Sequence, residues 1–198
     1  GADALKLDGP FTTGSRVPLA HSFIHQPSKH SVAVGCKDIK TKGSCAREPT
    51  QDSDQLDGQG CWNPARVEAA SALHSWLAKN PTGVTTDYSV IMGDFNAYRK
   101  EQPIQTLEQA GWVHLAAPTE LHTSFVFKGR SGSLDHALAS KALHGKLVRF
   151  AHWHINADEP EVLDYNMEHK TAEQHQQWFA PTPYRSSDHD PLYMDFRF

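Results

Sequence analysis

Apolar and polar positions alternate along two early stretches of the chain. Residues 16–26, "RVPLAHSFIHQ", and 31–37, "SVAVGCK", read as strands, and the "PSK" between them is a turn signal, so the pair predicts a hairpin. Residues 40–62 are rich in Gly, Asp, Gln and Ser and predict a long loop. The period then changes. In "NPARVEAASALHSWLAKNPTG", Asn63 suits an N-cap, Pro64 suits the first helical position, and Ala69, Leu73, Trp76 and Leu77 form a stripe at helical spacing. Asn80-Pro81 ends that helix. Tyr88 to Met92 is a short continuous apolar run, the pattern of a strand buried on both faces. A short helix is predicted near 103–111, strands near 123–127 and 133–139 joined by "KGRSG", and another strand near 147–155. Residues 156–187 are polar, with helical spacing near 167–178, and "PLYMDFRF" closes the chain as an alternating strand. Many strands with few helices, no internal repeat and no linker predict one α/β (α+β) domain over residues 1–198, built from two packed sheets with helices outside.

Composition adds limits. The 198 residues, 38% hydrophobic and 21% charged, suffice for one substantial core. No apolar run approaches membrane-spanning length, and "GADALKLDGPFTTG" lacks the basic flank and long apolar region of a signal peptide. The net charge of −4 gives no global basic field for nucleic acid. The three cysteines, Cys36, Cys45 and Cys61, contain no Cys-x-x-Cys, which argues against a zinc ribbon. Cys45 and Cys61 flank an acidic loop; a disulfide there and a pair of free thiols are both compatible with the sequence. Cys36, within an apolar run, reads as a small buried residue.

Three places carry candidate chemistry. In "GDFNAY", Asp94 and Asn96 directly follow a strand, where a rigid scaffold presents functional groups. Asp94 can accept a proton from water and Asn96 can donate to a phosphate oxygen; the same pair also suits a plain turn. In "GSLDHALAS", Asp135 lies inside an apolar strand and needs a partner, with a protonated His as one candidate and a neighbouring turn as the other. His136 points to the opposite face and reads as structural. In "SDHD", Asp188 is a hard oxygen ligand for a cation, His189 an acid, base or phosphate donor, and Asp190 a loop or strand-start residue. Singly, each site has a bland reading. Together, acids, an Asn and a His at separate strand ends are what metal-assisted phosphodiester hydrolysis requires.

"IMGDFNAY", "GSLDHALAS", "WHINADEPEVLDYN" and "PYRSSDHDPL", in this order, resemble the endonuclease/exonuclease/phosphatase superfamily, and "KTKGSC…DGQGCWNPAR" echoes its large secreted bacterial extracellular nucleases. The likeness runs from about residue 10 to the end. It implies a four-layer, deoxyribonuclease-like sandwich of two mixed sheets flanked by helices. It implies Mg²⁺, Mn²⁺ or Ca²⁺ as cofactor, DNA and also RNA as substrates, and a secreted location. Residue by residue, Asp94 matches the group that orients or deprotonates the attacking water, Asn96 its phosphate-contacting companion, Asp188 a metal-linked acid, His189 the essential His, and Asp135 the acid paired with it. Cys45 and Cys61 match a disulfide-closed loop.

The sequence departs from the pattern twice. The early strands that carry an Asn and a metal-binding Glu in the family have no counterpart, since Glu48 and Glu68 stand in the wrong context. The resemblance is therefore to the later part of the domain, with its first strands missing and an upstream segment or second chain expected to complete it. At Asp38 the family has a His, so a carboxylate replaces a phosphate-binding cation. Two other readings follow: a catalytically degenerate nuclease-like domain that binds nucleic acid or serves an extracellular structure, and a phosphatase or other phosphodiesterase of the superfamily.

Overall fold

A computed structural model describes residues 3–12, 14–164, 166, 170–178 and 182–198. Its centre is a six-stranded sheet. β1 (Asp3–Leu5), β2 (Leu19–Ile24), β3 (Ser31–Asp38) and β4 (Ser89–Asp94) are followed by β5 (Val113–His114), and β8 (Asp135–Ala139) enters between β4 and β5 to give the order β1-β2-β3-β4-β8-β5. β2 and β3 form the predicted antiparallel hairpin. β3 and β4 run parallel, which demands a crossover, and α1 (Asn63–Leu77) supplies it. α2 (Gln102–Gln109) follows β4.

Both helices pack on one sheet face. Ala69, Ala70 and Leu73 of α1 and Ile104 and Leu107 of α2 meet Ile39, Ile91 and Leu138 in one buried cluster. Each large side chain buried there contributes about 2 kcal/mol. The opposite face carries a second cluster. There β9 (Leu147–His152) and β10 (Leu192–Phe196), paired antiparallel, lay Phe150, Leu192 and Met194 against Val90, Ala137 and Ala139. β6 (Phe125–Phe127) and β7 (Arg130–Gly132) form a separate small hairpin. Short helices α3 (Lys141–His144) and α4 (Ala172–Trp178) complete the regular elements. The α/β architecture of packed sheets with outer helices is the expected one.

Several boundaries differ. Asn63 is the first helical residue rather than the cap; Trp62 precedes it with φ 64°. The reason lies in the preceding loop. Cys45 and Cys61 are disulfide-bonded, with Cα atoms 5.3 Å apart. The fully buried Arg66, in the first turns of α1, donates to the carbonyls of Cys61 (2.6 Å) and Gln59 (2.8 Å). The helix start is thus tied to the loop rather than to a side-chain cap. Cys36, expected inside, is exposed on β3. The helix predicted near 167–178 is present from Ala172, and residues 167–169 lie outside the described ones. Among the described residues no helix is long and apolar enough to cross a membrane.

Candidate active site

Strand register builds the site. Asp38 of β3 pairs with Asp94 of β4, and Asp94 pairs with Asp135 of β8, so three aspartates form a row across one end of the sheet. By strand alternation they share the face of Cys36, Met92 and Ala137, toward β9 and β10. Gly93 makes the row possible. Its φ is 138°, and a Cβ there would lie 1.9 Å from the Lys37 carbonyl oxygen. Only glycine lets β4 approach β3 this closely.

His189 reaches the row from the loop before β10. A bridge between Phe125 and His189 and a bond from the Asp190 amide to the Ser124 carbonyl (2.8 Å) fix its backbone. Its Nδ1 lies 2.7 Å from Asp135 Oδ2, and its Nε2 lies 4.0 Å from Asp94 Oδ2. Burial disfavours the imidazolium. The hydrogen bond and charge of Asp135, with the charges of Asp94 and Asp188, outweigh that and push its pKa up to about 9. Nδ1–H therefore donates to Asp135 and Nε2 lies on the Asp94 side of the ring. The partner that an aspartate in an apolar strand requires is thus His189, with Ser124 Oγ donating to the same oxygen at 2.6 Å.

Asp94 is pushed up to about 7, chiefly by burial and further by Asp135, against the opposing hydrogen bond from the Asn96 amide. That amide reaches Asp94 Oδ1 at 2.7 Å. The Asn96 side chain donates to Asp94 Oδ2 (3.0 Å) and to the Ile39 carbonyl (2.9 Å). Both its amide protons are thereby directed at protein acceptors, and Asn96, at φ 43°, holds Asp94 in place. Asp38 is also raised, mainly by burial, while Arg16 Nη1 sits 2.7 Å from its Oδ2.

Asp94, Asp135 and His189 present ligand atoms within 4.8 Å of one another. Asp188 stands next to His189 in the chain, is half-buried, and is outside that group. Asp190 is buried and accepts from the amides of Ile155 (3.1 Å), Asn156 (3.1 Å) and Ala157 (3.0 Å) and pairs with His154 Nδ1 (2.9 Å). Burial would raise it, but those bonds hold it below the usual carboxylate range. It is a knot that anchors the His189 loop rather than a simple strand start. Sequence reasoning missed this because its partners lie more than thirty residues away. It missed Ser124 too, since a Ser before an alternating strand carries no local mark.

The donor chemistry suits a hard divalent cation. Asp38, Asp94, Asp135 and Asp188 are opposed by Arg16, Lys37 and His189, and burial already strains Asp38 and Asp94 toward the neutral form. An ion bound to carboxylate oxygens would relieve that excess of negative charge.

No family model matches the sequence, and no curated protein does. Solved structures do. A mannosyl-6-phosphatase from Bacteroides thetaiotaomicron is 16% identical over 92% of this chain and 57% of its own, with a TM-score of 0.55. An endonuclease/exonuclease/phosphatase family protein from the same organism is 15% identical over 90% of this chain and 53% of its own, at 0.54. An AP endonuclease from Archaeoglobus fulgidus is 13% identical over 90% of this chain and 70% of its own, at 0.51. The chain spans little more than half the length of the first two. What it shares with all three is the fold, that of the endonuclease/exonuclease/phosphatase proteins.

Proposed function

We propose that this chain carries the catalytic face of a secreted, divalent-cation-dependent phosphodiesterase that hydrolyses DNA, as in the bacterial extracellular nucleases its motifs resemble. The observation that supports it most is the Asp135–His189–Asp94 line. It holds a cationic imidazole N–H beside a carboxylate poised near neutrality. Asp94 takes a proton from water, and the hydroxyl oxygen forms a bond to phosphorus as the bond to the leaving oxygen breaks. His189 Nε2–H donates to the phosphate oxygen on which charge accumulates, with Asp135 keeping the ring charged and oriented. The carboxylates of the row, Asp38, Asp94 and Asp135, would hold Mg²⁺, Mn²⁺ or Ca²⁺, with Asp188, next to His189, added by the family's pattern; the ion would supply positive charge to polarise the phosphate. The Cys45–Cys61 disulfide suits an oxidising, extracellular setting.

The test is nicking of supercoiled plasmid by the chain, with Mg²⁺ or Mn²⁺ and with chelator, beside a phosphomonoester substrate. Nicking that needs the cation and falls about 100-fold or more in His189→Ala is expected. Hydrolysis of the monoester alone would move the reading to a phosphatase. A folded chain that turns over neither substrate would overturn it in favour of a degenerate domain.

A further inference from the structure

A cavity lies beside His136 and His152, behind the row of aspartates, and the proposed hydrolysis does not use it. It encloses about 210 Å³ and is lined by four histidines, His114, His122, His136 and His152, with Glu120 at its edge. Two of the four are fully engaged. His114 Nδ1 accepts from the Ala116 amide (3.1 Å), so its Nε2–H donates to His136 Nδ1 (3.0 Å). His136 Nε2–H then donates to the Ala97 carbonyl (2.8 Å). This chain is saturated and neutral: burial, joined by mutual repulsion, lowers His114 to about 2, and burial lowers His136 to about 4.

The other two each keep one buried ring nitrogen without a hydrogen bond. His152 is 7% exposed, and its Nε2 lies 3.1 Å from the Asp135 carbonyl oxygen. A carbonyl only accepts, so Nε2 carries the proton and Nδ1 is a bare lone pair. That Nδ1 is buried without a hydrogen-bond partner among the described residues, and so is Nε2 of His122. Nε2 of His122 stands 3.3 Å from Glu120 Oε2. A buried nitrogen without a hydrogen bond costs about 1–3 kcal/mol, so His152 Nδ1 calls for a ligand, and the His122–Glu120 pair beside the same cavity offers two further donors.

We propose that His122, His152 and Glu120 bind one first-row transition-metal ion of the zinc class. Imidazole nitrogens and a carboxylate are zinc donors, at about 2.0–2.2 Å each. Tetrahedral donors at that radius stand about 3.3 Å apart, which is the observed His122–Glu120 spacing. His152 already has the outer bond typical of a metal-bound imidazole, its far N–H donated to a carbonyl. The rings of His122 and His152 have centroids 5.7 Å apart. The three donor atoms are not gathered within 4.8 Å, so His122 and Glu120, both on the loop between β5 and β6, must shift together toward His152 to close the site around the ion. An ion here would tie that loop to β9, against the backbone of Asp135. This site is separate from the carboxylate site for a hard cation, because a bare imidazole nitrogen prefers zinc to magnesium.

The test is zinc titration of the full chain, with bound metal counted after dialysis and Co²⁺ absorption reporting tetrahedral geometry. One tightly held zinc is expected, weakened at least 10-fold in His122→Ala and retained in His189→Ala. His122 sits on a loop, so its variant is checked for native circular dichroism. His152→Ala, more deeply buried, is the second variant, and Glu120→Gln the third. Absence of zinc binding by the folded wild type, unchanged binding by folded His122→Ala, or loss in His189→Ala instead would each overturn the proposal. Because the readout is bound metal, failure here is distinct from failure of the hydrolytic reading.

Discussion

His189 is a charged ring kept charged by its neighbours, and that has a measurable sign. Its folded pKa of about 9 lies above the ordinary 6.5. The folded state therefore holds a proton that the unfolded chain releases between those values. The stability this contributes is fully present below about pH 6.5 and is lost as pH rises through about 9. The ring is three-quarters buried, so after allowing for solvent screening the contribution is about 1–3 kcal/mol. His189→Gln should lower the urea midpoint clearly at about pH 6 and by much less at about pH 10. An equal loss at both would mean that the ring acts through packing on Phe125, 4.8 Å away, and not through charge. In the proposed hydrolysis the same pair works the other way round Asp94. Activity should rise as Asp94 ionises through about 7 and fall as His189 deprotonates through about 9. Asp135→Asn should move the upper limb down, toward the ordinary imidazole value.

At the scale of elements, the row of aspartates depends on β3 and β4 lying close together, and Gly93 sets that distance. In Gly93→Ala the new Cβ would meet the Lys37 carbonyl at 1.9 Å, a backbone atom that cannot turn aside. β4 must then part from β3 and spread Asp38 from Asp94. The expected cost is more than about 3 kcal/mol. Gly83→Ala is the control: it also has positive φ (69°) but nothing within 4 Å, so it should cost about 1 kcal/mol. Thermal unfolding of the two variants decides this; equal losses would refute the close-approach argument. The same contrast explains what the sequence made legible. α1, β4 and the β2–β3 hairpin announce themselves because periodicity and turn residues are local. Asp94, Asp135 and His189 are legible as candidates because acids at strand ends are locally odd. β1 and β5, of three and two residues, are too short to carry a period. The Asp190 knot, the Ser124 clamp and the four-histidine cavity arise only when distant segments meet, so no local pattern marks them.

At the scale of the whole molecule, the six-stranded sheet is covered unevenly. On the helix side its core is closed by α1 and α2. On the other side β9 and β10 pack over β4 and β8, while β2 and the adjoining part of β3 present Leu19, Phe23 and Cys36 to solvent. Leu19 pairs with Cys36 and Phe23 with Val32, so these side chains lie on one face and form a mainly apolar strip, with His21 between Leu19 and Phe23. An open hollow of about 350 Å³ extends from this strip to Asp38 and Asp135, so whatever covers the strip also forms a wall of the candidate active site. Cys36 reports on that cover. It is a free thiol, while Cys45 and Cys61 are locked in their disulfide. A thiol reagent at mildly alkaline pH should label one cysteine in the folded, dilute chain. As concentration rises, copies should shield each other's strips and labelling should slow. The double variant Leu19→Ser, Phe23→Ser should remove that dependence while leaving the fold intact, because both side chains are exposed and little core is lost. Labelling independent of concentration in the wild type would show that the strip stays open on its own. In that case burial of this apolar face would not drive the chain into association, and the active-site wall would remain open to solvent.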